Sequence, residues 1–416
     1  MMTTTAETTV DLLDPEDIVD AILARHALAM AYEVPWRLYG VLRSLGPAYR
    51  SERYGMWVLT GFDGCLAALR NPRSDLGRQV RADAAKGSFN AMKKASTMLY
   101  LEDPAHTLRQ RRLVAKAFTP QTVQHMKDFT RQRVGELLAD LAGRSRFDFF
   151  DEFADHIPVA VICQMLGVPR EDVPIFREWT RMMAPSTAAV IDHSRTAQIE
   201  EAVRGLHDYY ADLIPRHREK GTDDLLGRMI RAHEEGDRLS EMELISLSTF
   251  LLSAGSDTTS QAMTAIVRLW AAHPAQYEEI RRDRALLGNA IEEAMRHSGP
   301  VHYAQPRYLR EPLELDGLTI GVGETVLPIV AGAHRDPDHF DDPDTFDIRR
   351  ADTRHLGFSQ GMHMCLGAPL ARLELSTALG MVLDEFASVT VTQDPVPYVD
   401  LGPMRGISAM GVEVTR

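Results

Sequence analysis

Residues 358–367 read Phe358-Ser359-Gln360-Gly361-Met362-His363-Met364-Cys365-Leu366-Gly367, and an apolar run with helical periodicity, Ala368 to Leu379, follows directly. One cysteine among glycines at the mouth of a helix reads as a thiolate offered to a metal by a tight loop. Gly361 lets the chain turn where a side chain would collide or where φ must be positive. Gly367 lets backbone approach a flat ligand. The first N–H groups of the following helix point back at the sulfur and favour its ionised form. A lone cysteine is more often inert packing, so the weight lies on the whole spacing, Phe-x-x-Gly-x-His-x-Cys-x-Gly.

Working outward, the 416-residue chain is 44% hydrophobic and 25% charged, an ordinary globular composition. The length allows two or three domains, but no linker or internal repeat divides it. We therefore read residues 1–416 as one domain, with residues 1–33 as a loosely held lead-in followed by a helix. A net charge of -13 disfavours nonspecific nucleic-acid or anionic-membrane binding. The three cysteines, Cys65, Cys163 and Cys365, form no CxxC pair and imply reduced thiols rather than a disulfide framework. Met1 to Asp20 has neither a basic n-region nor an apolar h-region, and no run is long enough to span a membrane. A soluble, cytoplasmic protein is the expectation.

Helices dominate the pattern. Phe62 to Arg70, His106 to Ala117, Gln121 to Leu141, Asp151 to Leu166, Val173 to Met183 and Ser194 to Lys220 all carry helical periodicity. Ser240-x-x-Glu243 is a capping box that opens an apolar run ending at His273-Pro274, roughly 50 Å long at 1.5 Å per residue. Short strands are expected at Ala48 to Ser51, Met56 to Thr60, Tyr308 to Arg310, Leu313 to Leu315, Leu318 to Ile320 and Glu324 to Ile329. The fold class is mainly α, with a minor β part contributed from both ends of the chain.

Inside the long apolar run stands Ala254-Gly255-Ser256-Asp257-Thr258-Thr259. A helical glycine costs about 1 kcal/mol relative to alanine, and an acid with two threonines is unfavourable in such a run. Three local violations together point to function. Thr258 is placed to back-bond to the carbonyl of Ala254 and bend the helix. The bland alternative is close packing at Gly255. Glu293-x-x-Arg296 has the i, i+3 spacing of an intrahelical ion pair, a pattern common on solvated surfaces.

Taken with Cys365, these stretches resemble the cytochrome P-450 family, soluble bacterial type, over most of the chain from Trp36 onward. The resemblance implies that fold, with a long central helix over the haem. It implies haem b as cofactor with Cys365 as axial ligand of the iron and Phe358 in its loop. It makes Ala254 part of the haem-facing helix and Asp257 and Thr258 the acid–alcohol pair that delivers protons for splitting dioxygen. Glu293 and Arg296 become a structural clamp, whose usual third arginine is replaced by Thr345; Arg349 and Arg350 are the alternatives. Arg307 and His363 match positions that hold the haem propionates. On the helix from His106, Arg111 is the better partner, because His106 lies five residues earlier and faces away at 100° per residue.

Function follows as a monooxygenase, inserting one oxygen atom into a C–H bond or alkene of a mainly apolar small molecule. Electrons would come from NAD(P)H through a separate ferredoxin and ferredoxin reductase, docking on Arg109, Arg112 and Lys116. The alternative for that basic face is solvation. A monomer is expected. Substrate contacts are expected before His106, at Met182 to Pro185, near Ala254, at Val301 to Gln305 and near Met404, with Met92, Met98, Met182 and Met183 as an apolar wall; such methionines are more often core. A peroxide-driven peroxygenase and a non-enzymatic haem-thiolate binder or sensor are the rival readings. The first of these predicts loss of the acid–alcohol pair.

Overall fold

In the structure, a computed structural model, residues 14–23, 36–76, 104–184, 196–234, 237–393, 396–401 and 403–416 are described. The axis of the molecule is the helix Glu241–Ala272. Its start is fixed by the sequence: Ser240 Oγ accepts from Glu243 N, and Glu243 Oε2 accepts from Ser240 N at 2.7 Å. Its end is set by His273 and by Pro274, which opens the next helix, Pro274–Arg282. Buried residues, polar as well as apolar, stand on nearly every side of the rod, so it lies inside the protein rather than on its surface. Helices His156–Met165, Thr196–Lys220, Leu287–Ser298 and Ala368–Glu385 pack around it. Trp270 near its end is fully buried.

The sheets close the chain on itself. The largest runs, edge to edge, Tyr49–Ser51, Met56–Leu59, Thr325–Pro328, Arg307–Leu309 and Ser74–Asp75. Met56–Leu59 and Thr325–Pro328 pair in parallel, and the other neighbours are antiparallel. Early and late segments thus share one sheet, as the strand pattern predicts. A second sheet joins Arg146–Asp148 to Gly411–Thr415 and Ser388–Val391. The hairpin Tyr398–Leu401 with Met404–Ile407 stands apart. Gln261 pins that hairpin to the central helix: its amide nitrogen donates to Ile407 O (3.1 Å) and its oxygen accepts from Ile407 N (2.6 Å).

The helix expected after the lead-in begins early and is anchored: Pro15–Leu23 has Ile18 and Val19 fully buried beside Tyr39, Leu42 and Val58. Glu16 explains its hold, accepting from Ser51 Oγ and Glu52 N at 2.8 Å each. The central helix is α-helical through Gly255.

Candidate active site

The cysteine loop is built by backbone hydrogen bonds. Cys365 N donates to Phe358 O (2.8 Å) and Met364 N to Gly361 O (3.1 Å). Gly361 adopts φ 67°, and a Cβ there would lie 3.0 Å from Arg70 Cα and Leu69 O. Both demands foreseen for this position therefore hold, a positive φ and a close approach. The Cys365 thiol is solvent-accessible, yet it sits deep enough that burial is the leading influence on it and pushes it up. The Gly367 N–H, then Arg111, the Ala368 N–H and Arg372 pull the other way. Phe358 is held beneath the Arg372 guanidinium, 4.6 Å from its ring centroid. Arg372 in turn forms a two-pronged pair with Glu292 (2.7 and 2.8 Å). Burial pushes Glu292 up, but Arg372 and His355 together bring it down to about 2.

Cationic side chains converge on the same loop. Arg111 Nη2 donates to Met364 O at 2.6 Å. Arg307 is 1% exposed; its Nη1 donates to Ser74 Oγ (3.2 Å) and its Nη2 to Ser359 Oγ (3.5 Å). Its Nε is buried with no hydrogen-bond partner. Burial brings Arg307 down to about 10. His363 is held at about 3 by burial, then by Arg307 and Arg111. His106 is placed elsewhere: its Nε2 lies 3.1 Å from Glu243 Oε1 and 3.0 Å from Gln110 Nε2. Five residues from Arg111 on the helix Pro104–Ala117, it faces the start of the central helix and a carboxylate there. Arg109 pairs with the same carboxylate, so it does not stand as part of a purely solvated basic face.

The clamp is complete. Glu293 and Arg296 have side chains without exposure and meet at 2.7 and 2.8 Å. Arg296 also donates to the carbonyls of His334, Pro343 and Thr345. The third arginine is Arg350, whose Nε reaches Glu293 Oε1 at 3.1 Å, whereas Arg349 pairs with Glu279. Arg350→Leu should cost about 1.5–3 kcal/mol, the range for hydrogen bonds to a charged group. Arg349→Leu, losing an exposed pair, should cost about 1 kcal/mol or less. Urea midpoints of the two variants check the assignment, and equal costs would refute it.

On the central helix, Ala254, Gly255 and Thr258 are the accessible positions of a segment whose neighbours are buried. Thr258 Oγ1 donates to Ala254 O at 2.8 Å, as the spacing predicts. Asp257 is buried, and burial, then Asp155, lifts its carboxyl to about 8 while Arg181 opposes. Sequence reading missed this surround. Asp155 accepts from Arg177 (2.8 Å) and Arg181 (2.8 Å), and Asp151 from the same two arginines. The signal was two acids four residues apart ahead of one helix and two arginines four residues apart on the next, Val173–Met183. Glu374, buried on Ala368–Glu385 and pushed well up by burial, was also missed.

Of the anticipated substrate contacts, Ala184, Val301 and Met404 come together with Leu401 and Val399 in one apolar cluster. Val301 and Met404 are bridged strand to strand. Met183 is fully in the main core and Met182 packs on it, so that pair is core rather than wall. Met92 and Met98 lie outside the described residues.

These residues fit a flat group with carboxylates on its edge and a metal at its centre. A thiol backed by two amides supplies a soft ligand. Arg111 and Arg307 have no carboxylate partner within ion-pair distance among the described residues, and the buried Arg307 Nε awaits an acceptor.

Comparison with known proteins decides the family. Residues 56–409 match the family model described as Cytochrome P450. The chain belongs to the cytochrome P450 family. It is 35% identical to the cytochrome P450 monooxygenase PikC of Streptomyces venezuelae, covering 92% of this chain and 91% of that protein. It is 34% identical to the 6-deoxyerythronolide B hydroxylase of Saccharopolyspora erythraea, covering 92% and 97%. Its fold superposes on CYP109E1 from Bacillus megaterium in complex with testosterone with TM-score 0.81 and 26% identity, covering 92% and 100%. This P450 is a monooxygenase of the bacterial type, and the family implies haem. Among the described residues no helix is long and apolar enough to cross a membrane.

Proposed function

We propose that this P450 inserts one atom of dioxygen into a C–H bond or alkene of a bulky, mainly apolar small molecule. Electrons come from NAD(P)H through a separate ferredoxin and its reductase. The observation that carries the substrate class is the uncharged cluster of Ala184, Val301, Val399, Leu401 and Met404. A hydroxylase of 6-deoxyerythronolide B and a testosterone complex among its relatives point the same way. The family's bacterial members carry the expectation of separate redox proteins. A monomer is the simplest assembly for a site built from one chain.

When bound, a thiolate-ligated haem supplies the binding and splitting of dioxygen. Cys365 would ligate it, and Arg111, Arg307 and His363 would hold its propionates. Asp257 brings a proton: with its carboxyl raised to about 8, it is mostly the neutral acid at pH 7. Arg181 and Asp155 connect it towards solvent, since the Arg181 side chain is 41% exposed. Thr258, one residue on and facing the accessible side, orients the hydroxyl through which the proton passes. The retained acid–alcohol pair speaks against the peroxide-driven alternative.

Thr258→Ala should leave NAD(P)H consumption running while product per electron falls several-fold. Asp257→Asn should lower turnover about 10²-fold, the low end for loss of a general acid. Coupling should also fall as pH rises through about 8, where Asp257 gives up its proton. The folded state holds that proton more tightly than the unfolded state does, so stability declines from pH about 4 to about 8. Asp257→Asn should remove that decline. Unchanged coupling in both variants would take the pair out of the proton route. A screen of apolar candidates for Soret shifts, followed by turnover with a surrogate ferredoxin system, tests the reaction; turnover only with peroxide would reject it.

A further inference from the structure

Glu292 stands one residue before the clamp acid Glu293, and the helix Leu287–Ser298 turns the two to different sides. Glu293 serves Arg296 and Arg350, whereas Glu292 takes Arg372 at 2.7 and 2.8 Å. His355 Nε2 lies 3.2 Å from Glu292 Oε2, and that ring is fixed on its other side, where Nδ1 accepts from Gly357 N at 3.1 Å. The His355 ring stands 5.3 Å from the Phe358 ring, and the Arg372 guanidinium lies 4.6 Å from the same Phe358 centroid. Four side chains from three segments thereby close on the cysteine loop: the helix Leu287–Ser298, the stretch 355–358 and the helix Ala368–Glu385.

Charge decides what this cluster can do. Glu292, at about 2, is a carboxylate at neutral pH. Arg372 therefore serves two anions: Glu292 is the stronger partner and the Cys365 sulfur the weaker, with burial opposing both. Any hold that the carboxylate has on the guanidinium is lost to the sulfur. The fork of Arg372 matches the two carboxylate oxygens, so the competition has a fixed geometry. A pair whose side chains are 46% and 26% exposed adds little to stability. What it does fix is where the positive charge sits beside the loop. We infer that Glu292 is a positioning residue for electron uptake: it holds Arg372 on Phe358, limits the positive charge offered to Cys365, and so sets the reduction potential of a haem bound there. The inference rests on the reading of Cys365 as the haem ligand.

The test is the midpoint potential of the haem-loaded protein, titrated with dithionite in the presence of mediator dyes. Each ferric centre takes up one electron and becomes ferrous, and dithionite is oxidised. Glu292→Gln keeps the size of the side chain and removes its charge, so the electron is accepted more readily. The midpoint should rise by about 59 mV, a tenfold shift for a one-electron couple. Arg372→Gln should lower it by a similar amount. In the Arg372→Gln background, Glu292→Gln should move it by roughly half as much or less, because its effect passes through the guanidinium. A cluster that only ties two helices together would change the urea midpoint and leave the potential where it was. An unmoved potential or a fall in Glu292→Gln, or equal shifts in the two backgrounds, would overturn the inference. The single variants predict shifts of opposite sign, so either decides if the other fails to load haem; loss of haem from both would make the cluster a support for the haem and overturn the inference too. The parent's reduced, carbon-monoxide-treated spectrum checks the thiolate reading separately, before any variant is made.

Discussion

Cys365→His should retain pigment but lose the thiolate signature of the reduced, carbon-monoxide-treated spectrum, and product formation should fall below detection. Histidine is a neutral ligand, whereas a thiolate donates the electron density that favours O–O cleavage. The surroundings are built for an anionic sulfur: the N–H groups of Gly367 and Ala368, Arg111 and Arg372 all act to lower its affinity for a proton. Burial opposes them in the chain alone, and a bound metal would displace the proton outright. Neither other cysteine competes for the role, since Cys65 and Cys163 are buried and pushed up by desolvation. An unchanged spectrum, or product formation that survives, would remove Cys365 from the centre of the chemistry.

The second large effect is on folding. Glu293→Ala should destabilise the protein by about 3–5 kcal/mol, the range for breaking a buried ion pair from one side. Arg296 would be left in the interior facing the carbonyls of His334, Pro343 and Thr345 and the Phe340 ring, with no carboxylate. Arg350 would lose its carboxylate as well. Asp347 N, which donates to Glu293 Oε1 at 3.1 Å, would also go unpaired. A loss of this size is a large share of typical stability, about 5–15 kcal/mol. Low soluble yield, poor pigment retention and an early urea midpoint should appear together. A midpoint within 1 kcal/mol equivalent of the parent would show that the clamp is dispensable.

Much of this site was legible because its residues announce themselves locally. Gly361, Cys365 and Gly367 lie within seven positions of one loop, and Ser240-x-x-Glu243 marks the start of the central helix. Thr258 and Ala254 are one helical turn apart, so their hydrogen bond follows from periodicity. What stayed hidden depends on tertiary pairing. Nothing at Arg350 distinguishes it from Arg349 until the loop folds under Glu293. Asp155 lies about a hundred residues before Asp257, and only the packing of His156–Met165 on the central helix brings them near. The strand Ser74–Asp75 is two residues long and exists only because Arg307–Leu309 is beside it. The helix Pro15–Leu23 has a short apolar face whose partner strands lie farther along the chain.

Glu243 closes the cap of the central helix and also takes Arg109, His106 and Gln110 from the helix Pro104–Ala117. That same short helix sends Arg111 to the carbonyl of Met364, next to the cysteine. The two jaws of the site are therefore bolted to one crosspiece, like a caliper. Any tilt of the crosspiece changes the gap between ligand-bearing loop and overlying rod, so a protein pressing on its outer side would reach the chemistry without touching it.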